Sequence, residues 1–125
     1  MVRHLGHALV TAMEMTLAAG NPEAAQLVAA ECVVTAATKD HLNWELLSEV
    51  AEALKGNAGK AVQAAYQQVE DEEDEHLYHT TGWSRELWIA SLALPAVLPP
   101  PEEEKEVKTA TGAARAKNAR KAMLK

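Results

Sequence analysis

The chain has 125 residues and a formal net charge of −6, with 18 acidic against 12 basic side chains. This length predicts one domain, and the acidic balance argues against a nucleic-acid-binding surface. One cysteine excludes an internal disulfide, and the chain has neither a signal peptide nor an apolar run of about 20 residues. We therefore expect a cytoplasmic protein that does not span a membrane. Abundant alanine and little β-branched alternation predict an all-α fold.

The first predicted helix runs from Val2 to Ala19 and ends at Gly20. Glu14 has apolar neighbours one turn away on both sides, and His7 lies seven residues earlier on the same face. Both side chain types bind metals, but packing or surface roles explain them as well. We interpret them as ordinary helix residues.

A second helix begins at Asn21-Pro22, which combines a capping side chain with proline at the first helical position. It is predicted to run to Lys39. Asp40 is a natural N-cap for a third helix over residues 41–55. No glycine or proline separates the second helix from the third, so one continuous helix is the open alternative.

Glu31 is the candidate site residue of the second helix. Leu27 and Val28 lie one turn before it, and Val34 and Thr35 lie one turn after it. A carboxylate surrounded in this way is expected to face a partner helix. The alternative is that Glu31 borders the apolar stripe and extends outward into solvent.

Residues 58–80 form the predicted helix with the strongest site signal. An unpaired charge on its apolar side costs several kcal/mol, and a metal ion shared with other carboxylates would compensate that cost. We therefore interpret Glu73 and His76 as metal ligands, with a hydrogen-bonded pair as the alternative. The apolar side, spaced three or four residues apart, consists of Val62, Tyr66, Val69, Glu73, His76 and Thr80. Five neighbouring acids are expected to be solvated, namely Glu70, Asp71, Glu72, Asp74 and Glu75.

Glycine and proline suggest where the remaining elements begin and end. Residues 56–59 contain two glycines and predict a turn before this helix, and residues 80–82 are predicted to end it. A fifth helix is expected from Trp83 to Leu94, with the bundle ending at Pro95.

The composition changes after Leu98, which divides the chain into a helical domain, residues 1–98, and a tail, residues 99–125. Three prolines form a semi-rigid spacer, and seven basic residues with one acid follow it. Such a segment offers little apolar surface to bury and is predicted to be a disordered, flexible tail. A segment that orders on docking to a partner is the alternative.

The stretch from Glu31 to Trp88 resembles the C-terminal half of the ferritin-like superfamily, which includes ferritin, bacterioferritin and rubrerythrin. In those bundles a helix with one inward glutamate precedes a helix with an inward Glu-x-x-His. The resemblance assigns Glu31 to the third-helix carboxylate, and Glu73 and His76 to the fourth-helix ligands. It implies a ferritin-like bundle or half-bundle with a dinuclear iron or manganese site. Its function would be oxygen or peroxide chemistry, as in an oxidoreductase, or iron handling.

The N-terminal half of that family pattern is not present. The residue three positions before His4 is Met1, where the pattern requires a glutamate. One chain supplies two carboxylates and one imidazole, whereas the family site uses four and two. We therefore expect a homodimer, as in the half-bundles of encapsulated ferritins, or a missing N-terminal segment that completes the bundle. The alternative function is a metal-free helical interaction or scaffold protein with a degenerate site.

Overall fold

The computed structural model describes residues 1–125 and contains helices without strands, so the all-α prediction is confirmed. No helix combines the length and the apolar character needed to cross a bilayer. Four α-helices and one 3-10 turn follow each other along the chain. They are α1 (Val2–Ala18), α2 (Pro22–Ala53), α3 (Gly56–Ser91), the turn Pro101–Glu103, and α4 (Thr109–Met123).

The connection between α1 and α2 follows the local signals in the sequence. Gly20 has a φ of 80°, a conformation that glycine adopts without strain. The Asn21 side chain accepts a hydrogen bond from the backbone N–H of Ala24 at 3.1 Å, and Pro22 is the first residue of α2. The predicted start of the second helix is therefore confirmed.

The second and third predicted helices form one continuous helix, α2, and Asp40 lies within it rather than capping a new one. The chain reverses at Leu54, Lys55 and Gly56, and Gly56 has a φ of 73°, a conformation that glycine adopts without strain. Gly59 is already helical and packs closely on α2, because a Cβ there would lie 2.9 Å from the Ala51 carbonyl oxygen. The turn predicted at residues 56–59 is therefore wrong by a few residues.

The helix end predicted at residues 80–82 is also wrong, because α3 continues to Ser91. The hydroxyls of Thr80 and Thr81 donate to carbonyl oxygens one turn earlier, so they do not interrupt the helix. Gly82 serves close packing instead. A Cβ at this position would lie 2.7 Å from Glu102 Oε2 and 3.1 Å from Pro100 Cβ.

The helices form an open bundle in which α2 is central. Helix α1 packs against α2 and α2 against α3, whereas α1 and α3 do not touch. Only ten residues are buried, and none of them lies in α1. The accessible surface is 8553 Å², whereas a compact monomer of 13.5 kDa has roughly 6,500 Å². The chain therefore leaves much of its helical surface unpaired.

The segment after α3 folds back onto that helix through buried charges. We call Arg85, Glu86, Glu102 and Arg120 the C-terminal clamp. Both of its carboxylates are fully buried. Glu86 accepts hydrogen bonds from Arg85 Nε at 2.9 Å, Arg120 Nη1 at 2.6 Å and the Val97 backbone N–H at 2.9 Å. These bonds satisfy the acid and attach two later parts of the chain to α3.

The disordered tail expected for residues 99–125 is not confirmed. Helix α4 packs against α3 and the 3-10 turn, and its Ala116 is fully buried. Gly112 adjoins Glu102 so closely that a Cβ there would overlap the carboxylate. The composition of this segment did not reveal its packing, because ionic and hydrogen-bonded partners on α3 replace apolar burial.

Candidate functional site

Two consecutive residues of α2 meet two consecutive acids of α3 near the middle of the helical pair. His41 Nδ1 lies 3.1 Å from Asp74 Oδ1, and its Nε2 lies 3.2 Å from Glu45 Oε1. Asp40 of α2 lies close to Glu73 of α3, and its carboxylate raises the pKa of the Glu73 carboxyl. Because α2 is continuous through this region, both pairs are held by regular helix.

The Asp40 and Glu73 carboxylates repel each other when both are ionised. Burial raises the pKa of the Glu73 carboxyl, and the interaction with Asp40 raises it further. His76 and His41 act in the opposite direction but do not reverse the shift. A cation bound between two such neighbouring carboxyls would stabilise the charged form of both.

An open groove of about 660 Å³ runs along the α2–α3 pair at this point. We call it the α2–α3 groove. Its polar lining includes Asp40, Glu73 and His76, and its apolar lining comes from three small or branched residues of α2. A smaller hollow of about 350 Å³ shares part of this lining and extends toward Trp83 and Leu87. Asp40 and Glu73 therefore lie at one end of a long depression, and the other end is lined mainly by apolar side chains.

The sequence-predicted residues of α3 lie together in this groove. Glu73 is half-buried, whereas His76, one turn later, is exposed at the rim. Within one chain, however, no three His, Cys, Asp or Glu side chains converge closely enough to hold a metal ion. Carboxylates and an imidazole suit iron or manganese, so the donor types fit, but one chain leaves the ligand set incomplete.

Glu31, the third predicted ligand, lies elsewhere. It is exposed, and its Oε1 accepts a hydrogen bond from Trp88 Nε1 at 2.9 Å. Nine residues separate it from Asp40, which is about 13 Å along a helix. The structure therefore does not place Glu31 and Glu73 face to face within one chain.

Asp40 and His41 are the residues that the sequence analysis missed. The sequence pattern predicts Asp40 as the N-cap of a separate helix, and an N-cap residue is not expected to line a groove between two helices. The available signal was spacing, since Val33, Ala36 and Asp40 follow each other at intervals of three and four residues and share one helix face.

His7 and Glu14 are both exposed on α1. Because α1 does not contact α3, neither residue approaches Glu73 within the chain. The interpretation of these two residues as ordinary helix residues stays a prediction.

The acids around Glu73 are less uniform than expected. Asp71 and Glu72 are exposed, as predicted for a solvated face. Glu70, Asp74 and Glu75 are half-buried, and each has a partner. Tyr66 donates to Glu70 at 2.9 Å, His41 contacts Asp74, and the Glu106 backbone N–H donates to Glu75 at 2.7 Å.

The sequence matches no protein-family model, and comparison with curated proteins and with solved structures found no match. Arguments about function therefore rest on the residues and contacts of this chain.

Proposed function

We propose that the protein binds iron or manganese in the α2–α3 groove, through Asp40, Glu73 and His76. The observation that carries this proposal is that Asp40 of α2 and Glu73 of α3 line the same groove, close enough for the Asp40 carboxylate to raise the pKa of Glu73. Asp40 thereby takes the role that the family resemblance assigned to Glu31. The proposed protein is a ferritin-like metal-binding protein whose helical pair supplies part of a carboxylate-histidine site.

The electrostatics of the groove support a cation at this position. The raised pKa of Glu73 reflects burial and the adjacent Asp40 carboxylate, and a bound divalent ion would relieve both effects. His76 lies on the groove rim one turn after Glu73, where its imidazole can join the ligand set. A ligand set of two carboxylates and one imidazole is compatible with iron and manganese, because imidazole suits iron and carboxylates suit manganese.

The remaining ligands come, in this proposal, from a second copy of the chain. Two copies would provide four carboxylates and two imidazoles, the number used by ferritin-like dinuclear sites. A homodimer is therefore part of the proposal, and an N-terminal segment that supplies the missing ligands is the alternative. Such a site would serve oxygen or peroxide chemistry, or iron handling.

A second candidate function is a metal-free helical interaction protein. It is favoured by the finding that the bundle exposes much helical surface on which a partner could dock. Here the acids would share a proton, and the groove would receive a partner.

Anaerobic titration with Fe(II) or Mn(II), followed by a metal count, separates the two functions. We expect about one ion per chain, consistent with a dinuclear site shared by two chains, together with a higher melting temperature. Glu73→Ala and Asp40→Ala should each abolish binding. Glu72→Ala is the matched control, because Glu72 is an exposed acid of the same run.

The variant Glu31→Ala distinguishes the two versions of the ligand set. If it abolishes binding while Asp40→Ala does not, the assignment made from the sequence is correct and the one made from the groove is wrong. Unchanged metal content in Glu73→Ala would refute the proposed metal site altogether.

A further inference from the structure

The second half of α2 carries an apolar surface without a partner. We call Leu42, Leu46, Val50 and Leu54 the leucine face. Leu42, Leu46 and Val50 follow each other at intervals of four, which places them along one side of α2, and Leu54 directly follows the end of that helix. Their exposed fractions are 53%, 63%, 39% and 43%.

The length of α1 explains this exposure. Helix α1 has 17 residues and α2 has 32, and the tight turn at Gly20 folds α1 back from the start of α2. At about 1.5 Å per residue, α1 reaches only along the first half of α2. A hollow of about 510 Å³, lined partly by Leu42, Leu46 and Tyr66, lies beside the uncovered half.

The acids beside the leucine face give the surface a negative charge. Glu45, Glu49 and Glu52 are exposed. Glu45 contacts His41, but Glu49 and Glu52 form no ion pair within the chain. A second copy of the same face would bring acid against acid, so a partner of opposite charge fits better.

Helix α4 offers a surface of the complementary kind. Residues 105–125 hold seven of the 12 basic and one of the 18 acidic side chains, so this segment carries +6 and residues 1–104 carry −12. Arg120 is bound to Glu86 and Arg115 to Glu104. The exposed side of α4 opposite its buried Ala116, which we call the lysine face, consists of Ala110, Ala114, Lys117 and Lys121, with Lys125 just beyond the end of the helix.

The two faces match in size, shape and charge. Along their helices the leucine face extends from Leu42 to Val50 and the lysine face from Ala110 to Lys121, which correspond to about 12 and 17 Å. Small alanines allow the leucines to approach the α4 backbone, while the aliphatic stems of lysine cover apolar surface. The lysine ammonium groups, which form no ion pair within the chain, can then reach Glu49 and Glu52.

We infer that the lysine face of one chain docks on the leucine face of a second copy. Within a chain α4 does not contact α2, so the contact forms between chains. The clamp holds α4 near Gly82, and the leucine face lies beside the start of α3, so the two faces are at opposite ends of the helical pair. Antiparallel chains form both contacts at once, which closes a twofold dimer rather than an open filament.

The surface area of the chain supports a large interface. The accessible surface of 8553 Å² exceeds that of a compact monomer of this mass by roughly 2,000 Å². Burying that excess in each chain gives a total of about 4,000 Å², within the range of obligate homodimers. Docking of the lysine face on the leucine face involves no metal, so it does not depend on whether the α2–α3 groove binds one.

Sedimentation velocity of the full chain in the presence of a chelator tests the inference. We expect a dimer at ~50 mM salt that weakens at ~500 mM, because ionic contacts are screened. Lys117→Glu/Lys121→Glu and Glu49→Lys/Glu52→Lys should each be monomeric, since each places like charges on both contacts. Mixed together, the two variants should form a heterodimer in which both contacts regain opposite charges. Lys60→Glu, an exposed lysine outside both faces, should leave the dimer intact.

A cysteine pair checks the faces directly. In a Cys32→Ala background, oxidation of a mixture of Leu46→Cys and Ala114→Cys chains should give a disulfide-linked heterodimer. A wild-type chain that stays monomeric at ~50 mM salt would overturn the inference. So would charge-reversed variants that dimerise alone, or a mixture of them that stays monomeric. Because the chelator removes metals, a failure here is distinct from a failure of the metal site.

Discussion

Arg85 donates two parallel hydrogen bonds to Glu102, from Nη1 to Oε1 at 2.5 Å and from Nη2 to Oε2 at 3.0 Å. The same guanidinium donates from Nε to Glu86 at 2.9 Å. One cation therefore joins two fully buried acids, one on α3 and one in the 3-10 turn. This arrangement makes the C-terminal segment part of the folded domain.

Removing the cation of the C-terminal clamp should destabilise the protein strongly. Arg85→Ala leaves buried carboxylates short of a partner, and we expect a loss of about 3–5 kcal/mol in the free energy of unfolding. Arg115→Ala is the matched control, because the Arg115–Glu104 pair is exposed and should contribute only about 0–1 kcal/mol. Urea unfolding measures both. Similar losses for the two variants would show that the clamp does not anchor the C-terminal segment.

Replacing glycine with alanine should destabilise the protein at Gly82 and Gly112 and stabilise it at Gly6. Gly82→Ala and Gly112→Ala force a Cβ against Glu102, and overpacking of this kind costs about 1–3 kcal/mol. A Cβ at Gly6, in the middle of α1, has no neighbour within 4 Å, so Gly6→Ala should stabilise by about 0.5–1 kcal/mol. Thermal unfolding of the three variants checks the order. A neutral Gly82→Ala would mean that α4 and the turn pack less closely on α3.

Acid should release the C-terminal clamp through Glu86. Burial raises the pKa of this carboxyl, but hydrogen bonds from Val97, Arg85 and Arg120 outweigh that effect and hold the pKa below its ordinary value. A lowered folded-state pKa contributes stability that is present above the unfolded value of about 4.3. That stability disappears as the pH falls through the folded value.

Arg120→Gln removes one of the bonds that lower the Glu86 pKa, so acid unfolding should begin at a higher pH. Circular dichroism and tryptophan fluorescence against pH measure the midpoint. Lys60→Gln changes an exposed lysine outside the clamp and outside both docking faces, and it should leave the midpoint in place. Identical acid-unfolding curves for Arg120→Gln and wild type would show that Arg120 does not hold down the pKa of Glu86.

Glu73 should show the opposite pH dependence in metal-free protein. Its raised pKa means that its contribution to stability increases as the pH falls through the folded-state value and is lost as the pH rises again. Glu73→Gln should therefore stabilise the metal-free chain at neutral pH, by about 0.5 kcal/mol because the site is partly solvated. The advantage should vanish under acid conditions. Melting temperatures at several pH values with a chelator present test this, with Glu72→Gln as the control.

Local sequence signals predicted the helices better than their ends. The start of α2 depends on Asn21 and Pro22 alone, and both act as their residue types predict. The helix end placed at Gly82 failed because glycine has two uses, ending a helix and allowing close packing. Gly82 lies against Glu102, which is twenty residues later in the chain, and only this contact shows that the glycine allows close packing rather than ending the helix.

The site was partly predictable for a related reason. The spacing of Glu73 and His76 is a property of one helix, and both residues line the α2–α3 groove. Spacing within α2 places Asp40 on the same face as Val33 and Ala36, but which residues of α3 this face meets depends on the register between the two helices. Asp40 rather than Glu31 lies beside Glu73, and the charges that anchor α4 likewise pair across 17 and 34 residues.

The uneven distribution of burial divides the protein into parts that should open independently. Gly82, Glu86, Glu102, Gly112 and Ala116 are all buried in the C-terminal third, whereas α1 has no buried residue. Native-state amide exchange should therefore be slow where α3 meets α4 and fast throughout α1. A protease should likewise cleave the first 20 residues well before it cleaves the basic C-terminal helix, although that helix holds four of the 12 lysine and arginine side chains.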